Sequence, residues 1–369
     1  MKMSMVKRNS SLELLRILSM VMILAHHYVI HNGYSIELIP FGINRFLLQI
    51  LLLGGGQVGV VIFLSISKWF FLDEKQSFSH CFNRICKLEQ ELVFYSLILL
   101  LFTVLFDRQD FDIHLVTASI MPTIFQCWWY ATAYILLLFF LPALQAGLLA
   151  LGRELHLKVA FVMLVLFGVI ALVPGTFIPG RDVFGFIYYI VLLSAYKWYC
   201  KPLRTRTLIQ GIVAGYGIYI LCWIGLSPAL GIGDSYGVFI MEAWRLPVLM
   251  IGASIFLLAE RRTFYNGIIN RLASVAFGVY LISEYPTVRT LLWTRLFRID
   301  SMMAIPFHWL AIAMMIVGIY LLFGLFDFGR QWIFSVAVER IPMPNVSSVF
   351  KSIVVRYART LQTRLIDAN

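Results

Sequence analysis

One apolar stretch near the start of the chain, residues 12–31, contains an acid, a cation and three imidazoles: Glu13, Arg16, His26, His27 and His31. Titratable side chains are costly inside a bilayer, so those that occur there usually face the protein interior and mark function. A helix turns by about 100° per residue, which places Arg16 and His27 within about 20° of the same direction. Glu13 and His31 fall on that side, within about 60° of Arg16, whereas His26 points away. One face of this helix is therefore a candidate site.

Arg16 and His27 have the chemistry for two parts of a transfer reaction. At a rise of about 1.5 Å per residue their Cα atoms are about 16 Å apart, so the two side chains could line one channel at two depths. A guanidinium binds phosphates or carboxylates in a fork, and a neutral imidazole can accept a proton from a hydroxyl. The pair predicts a phosphorylated donor and an alcohol acceptor. The alternative is structural: Arg16 pairs with Glu13, and His27 is a hydrogen-bonded packing residue.

Two cations, Arg84 and Lys87, precede the apolar stretch 89–106. At the start of a helix on the inner face of a membrane they could hold the phosphates of a nucleotide donor. They could equally be charges that only set the topology of the chain. On the residues alone, the topology-setting interpretation is favoured, and the phosphate-binding one is kept as a candidate.

An acid and a cation, Glu284 and Arg289, flank Pro286 inside another apolar stretch. Proline interrupts a helix, so this stretch is predicted to bend. A carboxylate within a broken membrane helix is a site candidate. Together with Glu13 and His31, these two residues could line a pore or a site.

Several chemistries find no support in the sequence. The five cysteines form no CxxC pair and no Cys/His spacing typical of metal sites, so no metal site is predicted. There is no Gly-rich phosphate loop and no HExxH, and no Ser-His-Asp order is visible. Ordinary kinase, zinc-protease and hydrolase functions are therefore not predicted.

The composition indicates an all-α polytopic membrane protein. The 369 residues are 60% hydrophobic and 13% charged, against about 25% charged in a typical soluble domain. A lipid environment requires backbones that satisfy their own hydrogen bonds, which favours helices. The net charge of +11 fits basic loops that face anionic lipid better than it fits nucleic-acid binding. Four aromatic residues are interpreted as an interfacial belt, with stacking of a sugar ring as the less favoured alternative: Trp128, Trp129, Tyr130 and Tyr134.

Hydropathy predicts about ten membrane spans, because each needs about 20 mostly apolar residues. They are placed near 12–31, 47–72, 89–106, 127–151, 157–174, 184–200, 207–226, 239–259, 272–297 and 304–326. Lys and Arg concentrate on one set of alternating loops, which predicts that both termini are cytoplasmic and that the protein is a multi-pass protein of the plasma or inner membrane. The domain boundaries follow as 1–326 for the integral-membrane domain and 327–369 for a cytoplasmic tail. Within this tail, 347–365 has the spacing of an interfacial amphipathic helix.

Four stretches, in order along the chain, resemble integral-membrane acyltransferase family 3. The opening LELLRI with its later histidine is similar to the family's first helix, and Arg16 and His27 meet its Arg, ten residues, His spacing. NRICKLEQELVFYS resembles the family's basic turn into the third span. WWYATAYILLLFFLPAL resembles its tryptophan–tyrosine helix, and FGVYLISEYPTVRTLLW its late GVYLIH segment, with Arg289 preserved.

The resemblance implies transfer of an acyl group, commonly acetyl from acetyl-CoA as co-substrate, to a hydroxyl of a cell-surface glycan or glycolipid. It implies that His27 is the essential histidine and Arg16 its partner in the motif. On physical grounds His27 would be a general base, or alternatively the carrier of the acyl group, and Arg16 would hold donor phosphates with Arg84 and Lys87. No tightly bound cofactor and no nucleic-acid partner are expected.

The chain departs from the family pattern at three positions. Val61 stands where an asparagine is often found, Lys68 stands in place of the glycine of ISGYF, and Ser283 replaces the late histidine. These changes affect the donor-side geometry and any role of the second histidine, and they are compatible with a divergent subgroup or with lost activity. They leave Arg16 and His27 untouched. A transporter or flippase for a glycan precursor is the main alternative function, because intramembrane charge on broken helices also suits a translocation path. A scaffold in a polysaccharide-assembly complex is a third.

Overall fold

The structure, a computed structural model, describes residues 8–173, 176, 182–226, 242 and 244–338. Over these residues it is helical and has no strand, which confirms the all-α prediction. The α-helices are α1 Ser10–Ile30, α2 Ile43–Phe46, α3 Gly54–Trp69, α4 Phe78–Phe106, α5 Ile113–Ile120, α6 Trp129–Met163, α7 Val183–Tyr199, α8 Thr205–Leu221, α9 Leu246–Glu260, α10 Gly267–Ala273, α11 Ala276–Glu284, α12 Pro286–Arg289, α13 Ile299–Met303 and α14 His308–Ile333.

Six helical segments of the described chain are long and apolar enough to cross a membrane: Ser10–Ile30, Ile43–Leu72, Phe78–Phe106, Trp129–Leu172, Thr205–Leu226 and His308–Val336. Two more, α7 and α9, are apolar but shorter. The longest segment is interrupted at Gly152, whose φ of 66° and ψ of 177° suit glycine, and this break lies between two of the predicted spans. The number of ten crossings and the cytoplasmic placement of both termini stay predictions.

Helix α1 lies against α3 at a distance that only glycine permits. A Cβ atom on Gly59 would come within 2.7 Å of the Ser19 carbonyl oxygen, and one on Gly56 within 2.0 Å of the His26 Cβ. Small residues at such positions let two helix backbones approach closely. The contact also fixes His26, whose Nδ1 lies 2.7 Å from the Leu53 carbonyl oxygen, so this imidazole holds α1 against α3.

Both ends of α1 are tied to the segment that contains α10, α11 and α12. At the start of the helix, Asn9 Nδ2 donates to the Arg262 carbonyl (3.0 Å) and Ser10 Oγ donates to Asn270 Oδ1 (2.7 Å). Beyond its end, Asn32 Nδ2 donates to the Phe297 carbonyl (3.0 Å), and Asn32 Oδ1 accepts from the Ile299 N–H (3.0 Å). The helix with the candidate residues is therefore aligned with the broken helix over its whole length.

A buried carboxylate joins α4, α11 and α14. Asp327 is fully buried and accepts hydrogen bonds from Tyr95 Oη (2.6 Å), Arg330 Nε (2.7 Å) and Gln331 Nε2 (2.8 Å). A Cβ atom on Gly278 would lie 2.3 Å from this carboxylate, so α11 packs directly on it. Helix α14 runs without a break past residues 326 and 327, where the sequence analysis placed the end of the membrane domain. That domain boundary stays a prediction. The amphipathic stretch 347–365 lies outside the described residues.

We expect Gly59→Ala to destabilise the protein by about 1–3 kcal/mol, because the added methyl group meets a backbone oxygen that cannot rotate away. The measurement is the thermal unfolding midpoint of the purified protein in detergent. Gly318→Ala in α14 is the matched control, since nothing lies within 4 Å of its Cβ position. Equal midpoints for the two variants would contradict the close α1–α3 contact.

Candidate active site

The break between α11 and α12 places a carboxylate in the bundle interior. Tyr285 has extended backbone angles (φ −63°, ψ 132°), and Pro286 starts the next helix, a position that proline tolerates because it has no N–H to lose there. Glu284 is the last residue of α11 and is 6% exposed. The bend that Pro286 predicted is therefore present, and it turns this acid toward α1.

Glu284 bridges two histidines of α1. Its Oε1 lies 3.0 Å from His27 Nδ1 and its Oε2 lies 3.4 Å from His31 Nε2. Arg289 Nη1 lies 3.9 Å from the same Oε2, which adds a positive charge beside the carboxylate. His27 and Glu284 are both buried. The structure thus brings together four predicted site residues from two distant parts of the chain.

This arrangement defines the role of each His27 nitrogen. A carboxylate can only accept hydrogen bonds, so the 3.0 Å contact favours the His27 tautomer that carries its proton on Nδ1, on the side of Glu284. Its Nε2 then keeps a lone pair and is the nitrogen available as a base. A carboxylate that orients an imidazole in this way is the arrangement that serves general-base catalysis in many hydrolytic sites.

A cavity of about 110 Å³ lies beside this pair, and its lining includes His27, His31, Tyr130, Tyr280, Glu284 and Arg289. Tyr130 is buried, and Trp128 is buried as well, with its indole N–H donating to the Leu281 carbonyl (3.0 Å). The interpretation of these two aromatic residues as an interfacial belt is therefore wrong: they pack inside the bundle. No sequence pattern indicates this burial, because interfacial belts and protein cores use the same aromatic residues.

Arg16 lies toward the start of α1, away from His27. Its Nη1 donates to Glu13 Oε2 (2.9 Å), so the i, i+3 pair expected from the structural alternative is present. The same guanidinium also lines a second cavity, together with Ser67 and Tyr134. A guanidinium has five N–H donors, and the pairing with Glu13 leaves others for a ligand.

Three cavities follow one another along α1. The His27 cavity and the Arg16 cavity share Phe63, Tyr130 and Phe277 as lining residues. The Arg16 cavity in turn shares Ser274 with a third, wider cavity that is lined by two exposed cations, Arg8 and Arg271. Sequence reasoning treated these cations only as loop charges. Their contribution to an entrance depends on the contact between the start of α1 and α10, which no local pattern reveals.

Arg84 and Lys87 do not line any of these three cavities. The Arg84 guanidinium carbon lies 3.8 Å from the Phe71 ring centre, and its Nη1 donates to Gln76 Oε1 (3.1 Å). Lys87 is exposed. Their role in holding donor phosphates stays a prediction that the geometry does not support.

The three departures from the family pattern have different structural consequences. Val61 is buried against Gly252, where a Cβ atom would lie 2.7 Å from the valine Cγ1. Ser283 Oγ donates to the carbonyl of Tyr280, one turn earlier in α11 (3.2 Å). Lys68 is fully buried with its Nζ 3.7 Å from the Tyr134 ring centre, a cation–π contact. The acid that follows Ser283 makes the contact to the histidines.

The apolar helices and the internal histidine–carboxylate pair define a helical membrane protein with an acid–base site in its interior. A family model described as an acyltransferase domain, that of acyltransferase family 3, matches residues 9–326. The chain therefore belongs to acyltransferase family 3, as its motifs predicted, and its general activity is acyl transfer. No curated protein and no solved structure matches the chain.

The bridging contacts also raise the question of a metal ion. The ligand atoms of His27, His31 and Glu284 lie within 4.8 Å of one another, so this group could hold one. Two imidazoles and one carboxylate are ligands that zinc accepts. The sequence-based expectation that there is no metal site stays a prediction.

We expect the purified protein to contain no stoichiometric zinc, because the Arg289 guanidinium, 3.9 Å from Glu284 Oε2, already places a positive charge beside the carboxylate and would repel a cation. Elemental analysis of the protein as purified and again after dialysis against a chelator, with stability measured at both points, checks this. One zinc ion per chain that disappears in His31→Ala, with a lower unfolding midpoint, would show a metal centre instead. His114→Ala, in the exposed part of α5, is the control.

Proposed function

We propose that this protein transfers an acetyl or other short acyl group from acyl-CoA to a hydroxyl of a cell-surface or exported glycan or glycolipid. The observation that carries the proposal is the buried His27–Glu284 pair, a base with its orienting carboxylate, in a family of acyltransferases. The apolar segments of the chain support a location in the cell membrane, and the concentration of Lys and Arg on alternating loops supports the placement of both termini inside.

The donor would enter at the start of α1. Arg8 and Arg271 are exposed at the third cavity, and Arg16 lines the next one inward. Guanidinium groups bind phosphate oxygens through paired N–H donors. The nucleotide phosphates of acyl-CoA would therefore stay at this end, while the thioester arm reaches along α1 toward His27.

The acceptor hydroxyl would be activated by His27 Nε2. As Nε2 takes the hydroxyl proton, the oxygen attacks the thioester carbonyl carbon, and the C–S bond breaks when the intermediate collapses. The CoA thiolate takes the proton from Nε2, which returns His27 to its neutral form. Glu284 stabilises the imidazolium that exists between these two steps, and general-base catalysis of this kind contributes about 10²- to 10⁴-fold to a rate.

His31 and Arg289 would act on Glu284 rather than on substrate. His31 faces Oε2 of the carboxylate at 3.4 Å, and Arg289 lies 3.9 Å from the same oxygen. These contacts keep the carboxylate in one orientation and favour its charged form. His27 is thus left as the group that faces the reacting atoms.

In the direct test, membranes that contain the protein are incubated with acetyl-labelled acetyl-CoA and with surface glycans of the host. We expect His27→Ala to abolish transfer of label to glycan, because the base is lost, and Arg16→Ala to raise KM for acetyl-CoA, because a phosphate ligand is lost. His114→Ala is the control and should behave as wild type. Absence of transfer by wild type, together with movement of a glycan precursor across liposomes without acyl donor, would favour a transporter.

A second variant tests the role of the carboxylate. We expect Glu284→Gln to lower kcat by about 10²- to 10⁴-fold with little change in KM for acetyl-CoA, because the imidazole loses its orientation and its counter-charge. Glu91→Gln is the matched control. It removes another carboxylate that is paired inside the bundle, 3.0 Å from Arg330 Nη2, and should lower stability without changing kcat. Equal kcat for Glu284→Gln and wild type would rule out the proposed pair.

A further inference from the structure

A phenol group in the His27 cavity is not used by the proton transfers described above. Tyr280 is 7% exposed and lines the cavity, and the centre of its ring lies 6.5 Å from the centre of the His27 ring. Its hydroxyl donates no hydrogen bond to any residue that the structure describes. A buried hydroxyl without an acceptor costs free energy, so a site that keeps one usually has a ligand for it.

The position of Tyr280 on α11 directs the phenol to the reacting group. Tyr280 precedes Glu284 by four residues, so both side chains lie on the same face of this helix, one turn apart. Glu284 contacts His27, while Tyr280 stands one turn closer to the Arg16 cavity. A thioester that arrives from the Arg16 side meets Tyr280 next to the imidazole.

Among the other donors at this cavity, Gln57 and Arg289 face polar partners, whereas the hydroxyl of Tyr130, like that of Tyr280, has no hydrogen-bond partner in the described structure. Gln57 Nε2 lies 3.4 Å from His26 Nε2, and Arg289 lies 3.9 Å from Glu284. Of the two phenols, Tyr280 is the one that shares a helix face with Glu284 and whose ring faces His27.

When a hydroxyl attacks a thioester, the electron pair of the C=O bond moves to the carbonyl oxygen. An alkoxide inside an apolar bundle requires a fixed hydrogen-bond donor. The free phenol O–H has the right chemistry for this task.

We propose that Tyr280 is a catalytic residue that donates a hydrogen bond to the carbonyl oxygen of the acyl group in the tetrahedral intermediate. The proton stays on Tyr280. The negative charge returns to the C=O bond when the C–S bond breaks, and the thiolate takes the proton that His27 holds. This inference rests on the proposed acyl transfer and adds the group that stabilises its intermediate.

Tyr280→Phe tests the proposal, because it removes only the hydroxyl. Loss of one donor to an oxyanion lowers kcat by about 10²- to 10³-fold. We expect this loss with KM for acetyl-CoA within about twofold of wild type and with the inflections of the pH–rate profile unchanged, since His27 and Glu284 are intact. The unfolding midpoint should be equal or higher, because an unsatisfied buried hydroxyl is gone.

Tyr188→Phe is the matched control. Tyr188 is also fully buried in the described structure with a hydroxyl that has no hydrogen-bond partner there, but it packs on Phe167 and lines no part of the His27 cavity. This variant should keep wild-type kcat and equal or higher stability. A value of kcat for Tyr280→Phe within twofold of wild type, or a loss accompanied by a shifted pH profile or a lower midpoint, would overturn the proposal. No transfer by wild type would instead reject the proposed function itself.

Discussion

The structure depends on the positively charged and hydrogen-bonding side chains that surround one buried carboxylate, that of Glu284, inside an apolar helix bundle. An isolated charge in such a place is strongly unfavourable, so Glu284 requires partners, and two imidazoles of α1 with one guanidinium supply them. Removing one partner of a buried ion pair lowers the stability of the fold by more than the intact pair adds to it, because the other charge is left buried without compensation. The same contacts hold the broken helix against α1 and select the tautomer of His27. The same carboxylate therefore holds two helices together and has the proposed role of orienting His27.

Close packing against α3 fixes α1 from its other side. Gly56 and Gly59 bring α3 into backbone contact, and the His26 imidazole fills the space against Leu53. Consecutive residues of one helix point about 100° apart, so His26 turns its Nδ1 to Leu53 while His27 faces Glu284, although both line the same cavity. This division explains why two adjacent histidines of the same type have different surroundings.

Much of this could be read from the sequence, and the failures have physical causes. Periodicity placed Arg16, His27 and His31 on one face, and Pro286 predicted the break that positions Glu284. The contact between Glu284 and His27 could not be predicted, because it joins residues far apart in the chain. Tyr130 was misplaced because hydropathy does not separate a core aromatic residue from an interfacial one. The position of Arg8 and Arg271 at the third cavity could not be predicted, because in the sequence they look like ordinary loop charges.

The hydrogen bonds at Asn9, Ser10 and Asn32 fix the position of α1 along its own axis. Its two ends are fixed to residues on either side of the broken helix, so it cannot slide to bring its parts closer to a substrate. The span from Arg16 to His27, about 16 Å, is then set by the number of helical residues between them. If Arg16 holds the donor phosphates as proposed, only an elongated donor, with its charge at one end and its acyl group at the other, reaches both residues. In the proposed reaction the backbone of α1 would then select donors by their length, before any side chain discriminates between acyl groups.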